Sequence, residues 1–400
     1  MDSERNESII KYKLLYSAII LLIYVVGRSI PLYGIDFAHY MNKSNATDEL
    51  LLQTISGDIY QCSILALGIS PYMISNILVQ IVSSFIKSDK RSKISPAKMT
   101  RISIGITVVI AMIQAFLRVR ELEFAVAGEV LQLTRVIAFI EMVAGAVLIM
   151  WLLSRCKRFG LGGQSVLVLV NVIDSIRTML IRYDMDKLML PMIIALCVMV
   201  ITVIMENAEK RIPVQRISVH NIYADKNYMA IKMNPIGVMP AMFSTAFFML
   251  PQLVLSLLNI LFPQNTHIIW GMDNMSLIKP LGIVTYIVIL YILSIGFSRV
   301  FINPSNITEQ YLKSGDSIVN LHAGKETKKY LSRTINRISF ISATLMTVCL
   351  VIPIILNVYG YVDGGLVMFP SMSMMLTGLW CSLYREFKAI RDLEAYRPFI

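Results

Sequence analysis

The sequence has little charge for its 400 residues, and it contains only five cysteines and four histidines. Charged residues make up 16% of the chain, whereas soluble proteins usually carry about 25%. The cysteines are scattered without the spacing of a metal site or a disulfide framework, and the histidines are dispersed over different loops. These absences argue against a soluble domain, a disulfide-stapled scaffold and a metal site.

The short motifs of the common enzyme classes are also missing. The chain contains no G-x-S-x-G, no H-E-x-x-H, no P-loop and no Rossmann glycine run. Its glycine-rich stretch GLGGQS, at 160–165, lies at the boundary of an apolar run, where a tight turn is expected. We therefore predict that the protein is not an enzyme and needs neither a cofactor nor a metal ion.

Long apolar runs take the place of these features. Hydrophobic residues make up 56% of the chain, and the runs are long enough to cross a bilayer core of roughly 30 Å as helices. The pattern predicts an all-α polytopic membrane protein. Its ten predicted spans are 13–34, 61–85, 102–120, 134–154, 164–181, 188–206, 236–258, 280–301, 335–358 and 366–384.

The distribution of basic residues predicts how these spans are oriented. If the N-terminus is cytoplasmic, 28 of the 37 Lys and Arg residues fall on the cytoplasmic side, which agrees with the positive-inside rule. Both termini and the two long basic loops, 207–235 and 302–334, are then cytoplasmic. The net charge of +11 is thereby read as a signal of membrane topology, and we expect the bilayer, and no nucleic acid, as a partner.

A short motif occurs twice, 169 residues apart. GISPYM at 68–73 and GVMPAM at 237–242 both read G-x-x-P-x-M, in predicted spans two and seven. The two copies lie five spans apart. Because five is an odd number, the second half enters the membrane from the opposite side, as in an inverted repeat with interrupted helices. We predict halves at 1–184 and 185–400. The alternative is that Gly and Pro only kink two packed spans.

Six collinear segments now point to a family. They read IPLYGID (30–36), SILALGISPYMISNILVQI (63–81), WLLSRCKRFGLGGQS (151–165), ENAEKRIPVQ (206–215), NPIGVMPAMF (234–243) and NPSNITEQYLKSG (303–315). Together they resemble the SecY family, the protein-conducting channel subunits of bacterial protein translocases. The resemblance implies a clamshell of two inverted five-helix halves, a lateral gate between spans two and seven, and a plug near 50–60.

The resemblance also assigns candidate site residues by position. The implied pore ring, an apolar constriction that resists water by dewetting, consists of Ile69, Met73, Leu169, Met242 and Phe369. The implied polar residues near the gate are Asn76, Gln80, Gln114, Ser244 and Thr245, and ordinary bonding between helices is the alternative reading. The implied docking residues for a motor are Lys210, Arg211, His322, Lys325, Lys328 and Lys329.

Departures from the family pattern favour a specialised member. Ser154 and His322 stand where the family has a glutamate and an arginine. This suggests the accessory SecY of some Gram-positive bacteria, which resides in the plasma membrane and exports serine-rich glycosylated adhesins. The implied partners are a SecA-type motor ATPase, small SecE-like subunits or accessory equivalents, and the secreted polypeptide. The alternatives are a divergent housekeeping SecY, a membrane scaffold, or a small-solute secondary transporter, which scarce intramembrane charges such as Glu141 disfavour.

Overall fold

The structure is a computed structural model, and it describes residues 2–35, 62–85, 96–122, 124–125, 129–215, 227–234, 237, 239–262, 265–275, 279–319, 321–322 and 324–396. Helices dominate the described part. They are α1 (Asp2–Arg28), α2 (Ser70–Phe85), α3 (Pro96–Glu121), α4 (Glu129–Phe159), α5 (Gln164–Arg182), α6 (Met185–Asn207), α7 (Met239–Leu261), α8 (Thr266–Asn274), α9 (Pro280–Ile302), α10 (Pro304–Ser314), α11 (Lys325–Val358) and α12 (Phe369–Tyr396).

Eight helical segments within the described residues are long and apolar enough to cross a membrane. They cover predicted spans one, three to six and eight to ten, so the prediction of a polytopic helical protein is confirmed. The other two predicted spans coincide with α2 and α7. Span two was predicted too long, because residues 62–69 form turns and the helix has only 16 residues.

The two G-x-x-P-x-M copies begin helices, and the expectation of interruptions within helices is corrected. Gly68 and Gly237 have φ angles of 54° and 71°, a region that glycine enters without strain. Each glycine N–H donates to the carbonyl oxygen three residues earlier, at 2.8 and 3.3 Å. α2 and α7 then start two residues later. The proline of each copy falls in the first helical turn, where no N–H is needed.

Helix packing follows one pattern in both parts of the chain. α2 packs on α3, α3 on α4, and α4 on α1 and α5, while α1 also packs on α5. Correspondingly, α7 packs on α9, α9 on α11, and α11 on α6 and α12, while α6 also packs on α12. The two sets meet where α2 contacts α7 and α9, where α3 contacts α7, and where α5 contacts α12. This repetition is the packing of two related five-helix sets.

The long loop after α6, in which apolar residues alternate around Ile212–Val214 and Met229–Met233 and so suggest extended or hairpin structure, contains a hairpin. β1 (Glu209–Gln215) pairs antiparallel with β2 (Tyr228–Lys232). The other edge of β1 pairs with β3 (Ser317–Ile318), which belongs to the second long basic loop. Both loops therefore share one three-stranded sheet.

A small apolar core lies under this sheet. Ile212, Ile231 and Ile318, one from each strand, pack in a buried cluster with Leu331 and Ile335 of α11. Helix α11 has 34 residues, about 51 Å at 1.5 Å per residue, and so exceeds the roughly 30 Å of a bilayer core. We name the sheet and the first turns of α11, up to residue 337, the loop unit.

Candidate pore, gate and docking surface

Four of the five pore-ring candidates belong to a single apolar cluster. Ile69 and Met73 are 0% and 1% exposed, and Phe369 is also buried. Leu169 is half-buried and packs against the same cluster. The side chain of Met242 lies outside the described residues. The described candidates thus come from the start of α2, from α5 and from the start of α12, and they share one large apolar cluster that extends through both helix sets.

Local backbone geometry places Ile69 and Met73 on one turn. After the left-handed turn at Gly68, the N–H of Met73 donates to the carbonyl oxygen of Ile69 at 3.0 Å. Residues four apart lie on one face of a helix, so the two side chains enter the cluster together. Phe369 is similarly the first residue of α12, which follows the 3-10 turn Gly364–Leu366.

The polar candidates bond to neighbouring segments of their own half. Asn76 Oδ1 accepts from Ser103 Oγ at 3.0 Å. Gln114 Nε2 donates to Ser70 Oγ at 3.3 Å. Ser244 Oγ donates to a carbonyl oxygen of its own helix at 2.8 Å. Two further candidates have side chains outside the described residues, Gln80 and Thr245.

Helix α2 is tied by side chains to α3 and α4. Ser75 Oγ donates to the carbonyl oxygen of Ser103 at 2.7 Å, in a buried position. Lys157 of α4 donates from Nζ to the hydroxyl of Tyr72 at 2.8 Å, and the same ammonium lies 5.1 Å from the centre of the Tyr72 ring. Polar bonds therefore hold α2 within the first helix set, while α2 also contacts α7 of the second.

Five basic residues form a stripe on α11, which we call the basic stripe. Lys325, Lys328, Lys329, Arg333 and Arg337 are all exposed, and their spacing of three, four, eight and twelve residues from the first puts them on one helix face. They line an open depression of about 530 Å³. Three of the six docking candidates thus share one groove.

The other docking candidates lie on the same loop unit or at its edge. Lys210 and Arg211 are exposed on β1, and His322 is exposed just before α11. Arg211 Nε donates to Glu209 Oε1 at 2.8 Å, and its guanidinium lies 4.8 Å from the Tyr228 ring centre. The hydrogen bond to Glu209, more than the neighbouring tyrosine, raises the pKa of Arg211. Lys210 thus offers an exposed charge, whereas Arg211 offers one that is oriented by Glu209.

Sequence reasoning missed an ion pair between the first and fifth predicted spans. Arg28 Nη2 lies 2.9 Å from Asp174 Oδ2, and the two side chains are 13% and 24% exposed. Beside it, the Tyr24 hydroxyl donates to Asn171 Oδ1 at 2.9 Å. Opposite charges within two predicted spans, Arg28 in 13–34 and Asp174 in 164–181, were the available signal. By contrast, Glu141, the residue singled out, accepts a hydrogen bond from the backbone N–H of Tyr33 at 3.1 Å.

A second missed ion pair contains a more deeply buried acid. Glu206, at the end of α6, is 2% exposed and forms an ion pair with Arg385 of α12. Within the described part of the chain, no group of three or more His, Cys, Asp or Glu side chains could hold a metal ion.

A family model described as SecY matches residues 63–377. The chain belongs to the SecY family. It is a multi-pass membrane protein, and membership of this family makes it a channel component and not an enzyme. The prediction of family and fold class is confirmed.

This SecY chain aligns with several relatives over almost their whole length. Each of the following is named an accessory Sec system protein translocase subunit SecY2. The protein of Leuconostoc gelidum is 29% identical, over 99% of this chain and 98% of the relative. That of Streptococcus agalactiae serotype III is 29% identical, over 98% and 96%. That of Streptococcus pneumoniae serotype 4 is 27% identical, over 98% and 98%.

Solved structures of protein-conducting channels share the fold of this SecY. One, described as "The structure of a protein conducting channel", has a TM-score of 0.70 at 16% identity, covering 96% of this chain and 93% of its own. Sec61 in the canine ribosome-channel complex gives a TM-score of 0.64 at 15% identity, with the same coverage. These likenesses establish the channel architecture.

Proposed function

We propose that this chain is the central pore subunit of an accessory protein translocase in a bacterial plasma membrane. Secreted polypeptides, in particular serine-rich glycosylated adhesins, pass through it, and a SecA-type ATPase drives them. The observation that carries this proposal is the burial of Ile69, Met73 and Phe369 in one apolar cluster that includes residues of both helix sets, within a channel fold. The naming of the relatives supports the accessory assignment.

The pore ring is an apolar seal. Water withdraws from a narrow apolar constriction, so ions do not cross it, yet an unfolded chain can push flexible side chains aside. Methionine is suited to this because its unbranched side chain adapts to irregular neighbours. Opening requires α2 to part from α7, and the bonds of α2 to α3 and α4 favour movement of α2 together with its own half.

The halves, plug and orientation complete this proposal. The halves are 1–184 and 185–400, and the repeated packing of helices supports them. The plug near 50–60 lies outside the described residues. Both termini and the loop unit are cytoplasmic, which the excess of Lys and Arg on that side supports.

The loop unit is the docking surface for the motor. Its basic stripe and β1 present exposed cations on one folded support, and such a surface steers an acidic partner in a salt-dependent way. His322 replaces the arginine of the family pattern, so we expect selectivity for an accessory motor over a housekeeping motor and over the ribosome. Small SecE-like subunits or accessory equivalents are the expected membrane partners.

A transport assay with the purified chain tests this function. The channel, its companion subunits and the accessory motor are reconstituted in vesicles with an adhesin precursor, and ATP-dependent protection of the precursor from protease is measured. We expect protection with the accessory motor and much less with the housekeeping motor. Equal protection with both motors would indicate a divergent housekeeping SecY. Uptake of small solutes without precursor transport would indicate a secondary transporter.

A further inference from the structure

The buried carboxylate of Glu206 joins three segments at the end of α6. It forms an ion pair with Arg385 of α12, and its Oε1 accepts from Asn234 Nδ2 at 3.2 Å. A carboxylate that is 2% exposed is tolerated only with such partners, because removal from water costs more than a single weak contact returns. The position of the Glu206 side chain is therefore set by its bonds to Arg385 and Asn234.

Asn234 extends this network to a fourth segment. It is 3% exposed, and its Oδ1 accepts from Ser342 Oγ of α11 at 3.3 Å. The turn that follows packs on the same carboxylate, since a Cβ added to Gly237 would lie 3.0 Å from Glu206 Oε1. The connection between β2 and α7 is thus hydrogen-bonded to both α6 and α11.

This connection is short and has a specific place in the chain. Strand β2 of the loop unit ends with Lys232, and α7 begins at Met239. A backbone bond from the N–H of Met233 to the carbonyl oxygen of Ala208, at 2.8 Å, continues the hairpin up to the network. Asn234 therefore lies two residues and the start of α7 seven residues after the end of β2 along the chain. A displacement of β2 by a bound motor would move both.

We propose that Glu206 and Asn234 form a clamp that positions the start of α7 and couples the loop unit to the gate. The clamp holds α7 against α2 in the closed arrangement, and motor docking releases it by moving β2. This inference rests on the proposed function, because it takes α7 as a gate helix and the loop unit as the motor's surface. Glu206 and Asn234 act through α7, so they are positioning residues.

The charges around the clamp are balanced in the described arrangement. Arg385 forms an ion pair with Glu206, and Lys232 lies near Arg385, Glu206 and Glu209. Burial lowers the pKa of Lys232, and the positive charge of Arg385 adds to this effect. The cluster therefore combines two cations, Arg385 and Lys232, with two carboxylates, Glu206 and Glu209.

The variant Asn234→Ala tests the clamp with little disturbance elsewhere. It removes both side-chain bonds of the connection and leaves the Glu206–Arg385 pair in place. The matched control is Asn207→Ala, because Asn207 follows Glu206 directly but is exposed, and among the described residues its side chain bonds to its own helix. The full channel is purified, and its resting ion conductance in planar bilayers is recorded together with its affinity for the motor.

We expect the resting open probability of Asn234→Ala to rise about tenfold, which corresponds to the loss of two hydrogen bonds of usual net strength. The affinity for the motor should rise by up to the same factor, because docking no longer has to break these two bonds, and an unchanged affinity would contradict the coupling. Ser342→Ala removes only the outer bond and should give a smaller rise in the same direction, so it replaces Asn234→Ala if that variant does not fold. The control should conduct like the unaltered channel.

Two results separate this inference from the proposed function. If the unaltered channel does not transport precursor with its motor, the proposed function fails. The resting conductance of Asn234→Ala, compared with that of the unaltered channel, still shows whether the clamp holds the channel closed. If the unaltered channel transports and the folded Asn234 and Ser342 variants keep its resting conductance, the clamp is refuted alone. A lower melting temperature without increased conductance would likewise refute it, because the network would then be only stabilising.

Discussion

Replacing Met73 with asparagine tests the apolar seal. Met73 is 1% exposed and lies in the central cluster with Ile69 and Phe369. In the closed channel an asparagine here loses the burial of the methionine side chain and places an amide among apolar neighbours. In the open channel the same position faces water and the passing chain. The substitution therefore raises the free energy of the closed state much more than that of the open state.

The size of this effect follows from the burial of Met73. Fully burying a methionine side chain stabilises a structure by about 1.5–3 kcal/mol, and a buried polar group without a partner costs about 1–3 kcal/mol. The closed state of Met73→Asn should thus lose roughly 3–5 kcal/mol relative to the open state. Since about 1.4 kcal/mol is a factor of ten, the open probability should rise at least a hundredfold.

Planar-bilayer recording of the purified channel measures this rise. The matched control is Leu22→Asn on α1, whose leucine is 64% exposed on the surface of the helix bundle, and it should leave the resting conductance unchanged. Adding Met242→Asn to Met73→Asn should raise the conductance further. Unchanged resting conductance in a stably folded double variant would mean that the ring is wrongly placed and that these methionines only fill the core.

Three further predictions concern docking, orientation and stability. Replacing Lys325, Lys328 and Lys329 with glutamate should weaken motor binding at least tenfold in low salt and less in high salt. The control Lys313→Glu, outside the stripe, should change motor binding little. An equal loss of binding in the triple variant and in Lys313→Glu would refute docking on α11. A cysteine introduced at Lys325 should resist labelling by an impermeant reagent added to intact cells, and efficient labelling would overturn the proposed orientation. Asp174→Asn should destabilise the protein by about 1–3 kcal/mol, because it leaves a mostly buried arginine with a weaker partner, and an unchanged melting temperature in detergent would contradict this.

Some structural features were predictable because they depend on local pattern. Alternation of apolar residues in the loop after α6 suggested extended or hairpin structure, since alternation with period two places one face of a strand on a core, and β1 and β2 pair there as a hairpin. The repeated G-x-x-P-x-M marked equivalent places in the two halves. Its effect was misread, because a proline in an apolar run suggests a kink, while the left-handed glycine before it makes the proline part of a first helical turn.

Contacts between distant segments could not be derived in this way. Nothing in the sequence indicates that β3, about 100 residues after β1, completes the sheet, because a two-residue strand has no pattern of its own. The Glu206–Arg385 pair joins residues 179 apart in the chain, and in the sequence Glu206 is only the last residue of a predicted span. Only the packing of α6 against α12 makes it a buried centre.

The sequence by itself determined the membrane environment and the number of apolar runs, because the hydrocarbon core selects long apolar helices whatever their partners. Its collinear motifs also determined the SecY family. The tertiary structure decided where the helices begin, which polar side chains join which helices, and that the two basic loops form one folded unit. These outcomes depend on which surfaces meet in space, and the free energy of those contacts is not encoded in any single segment.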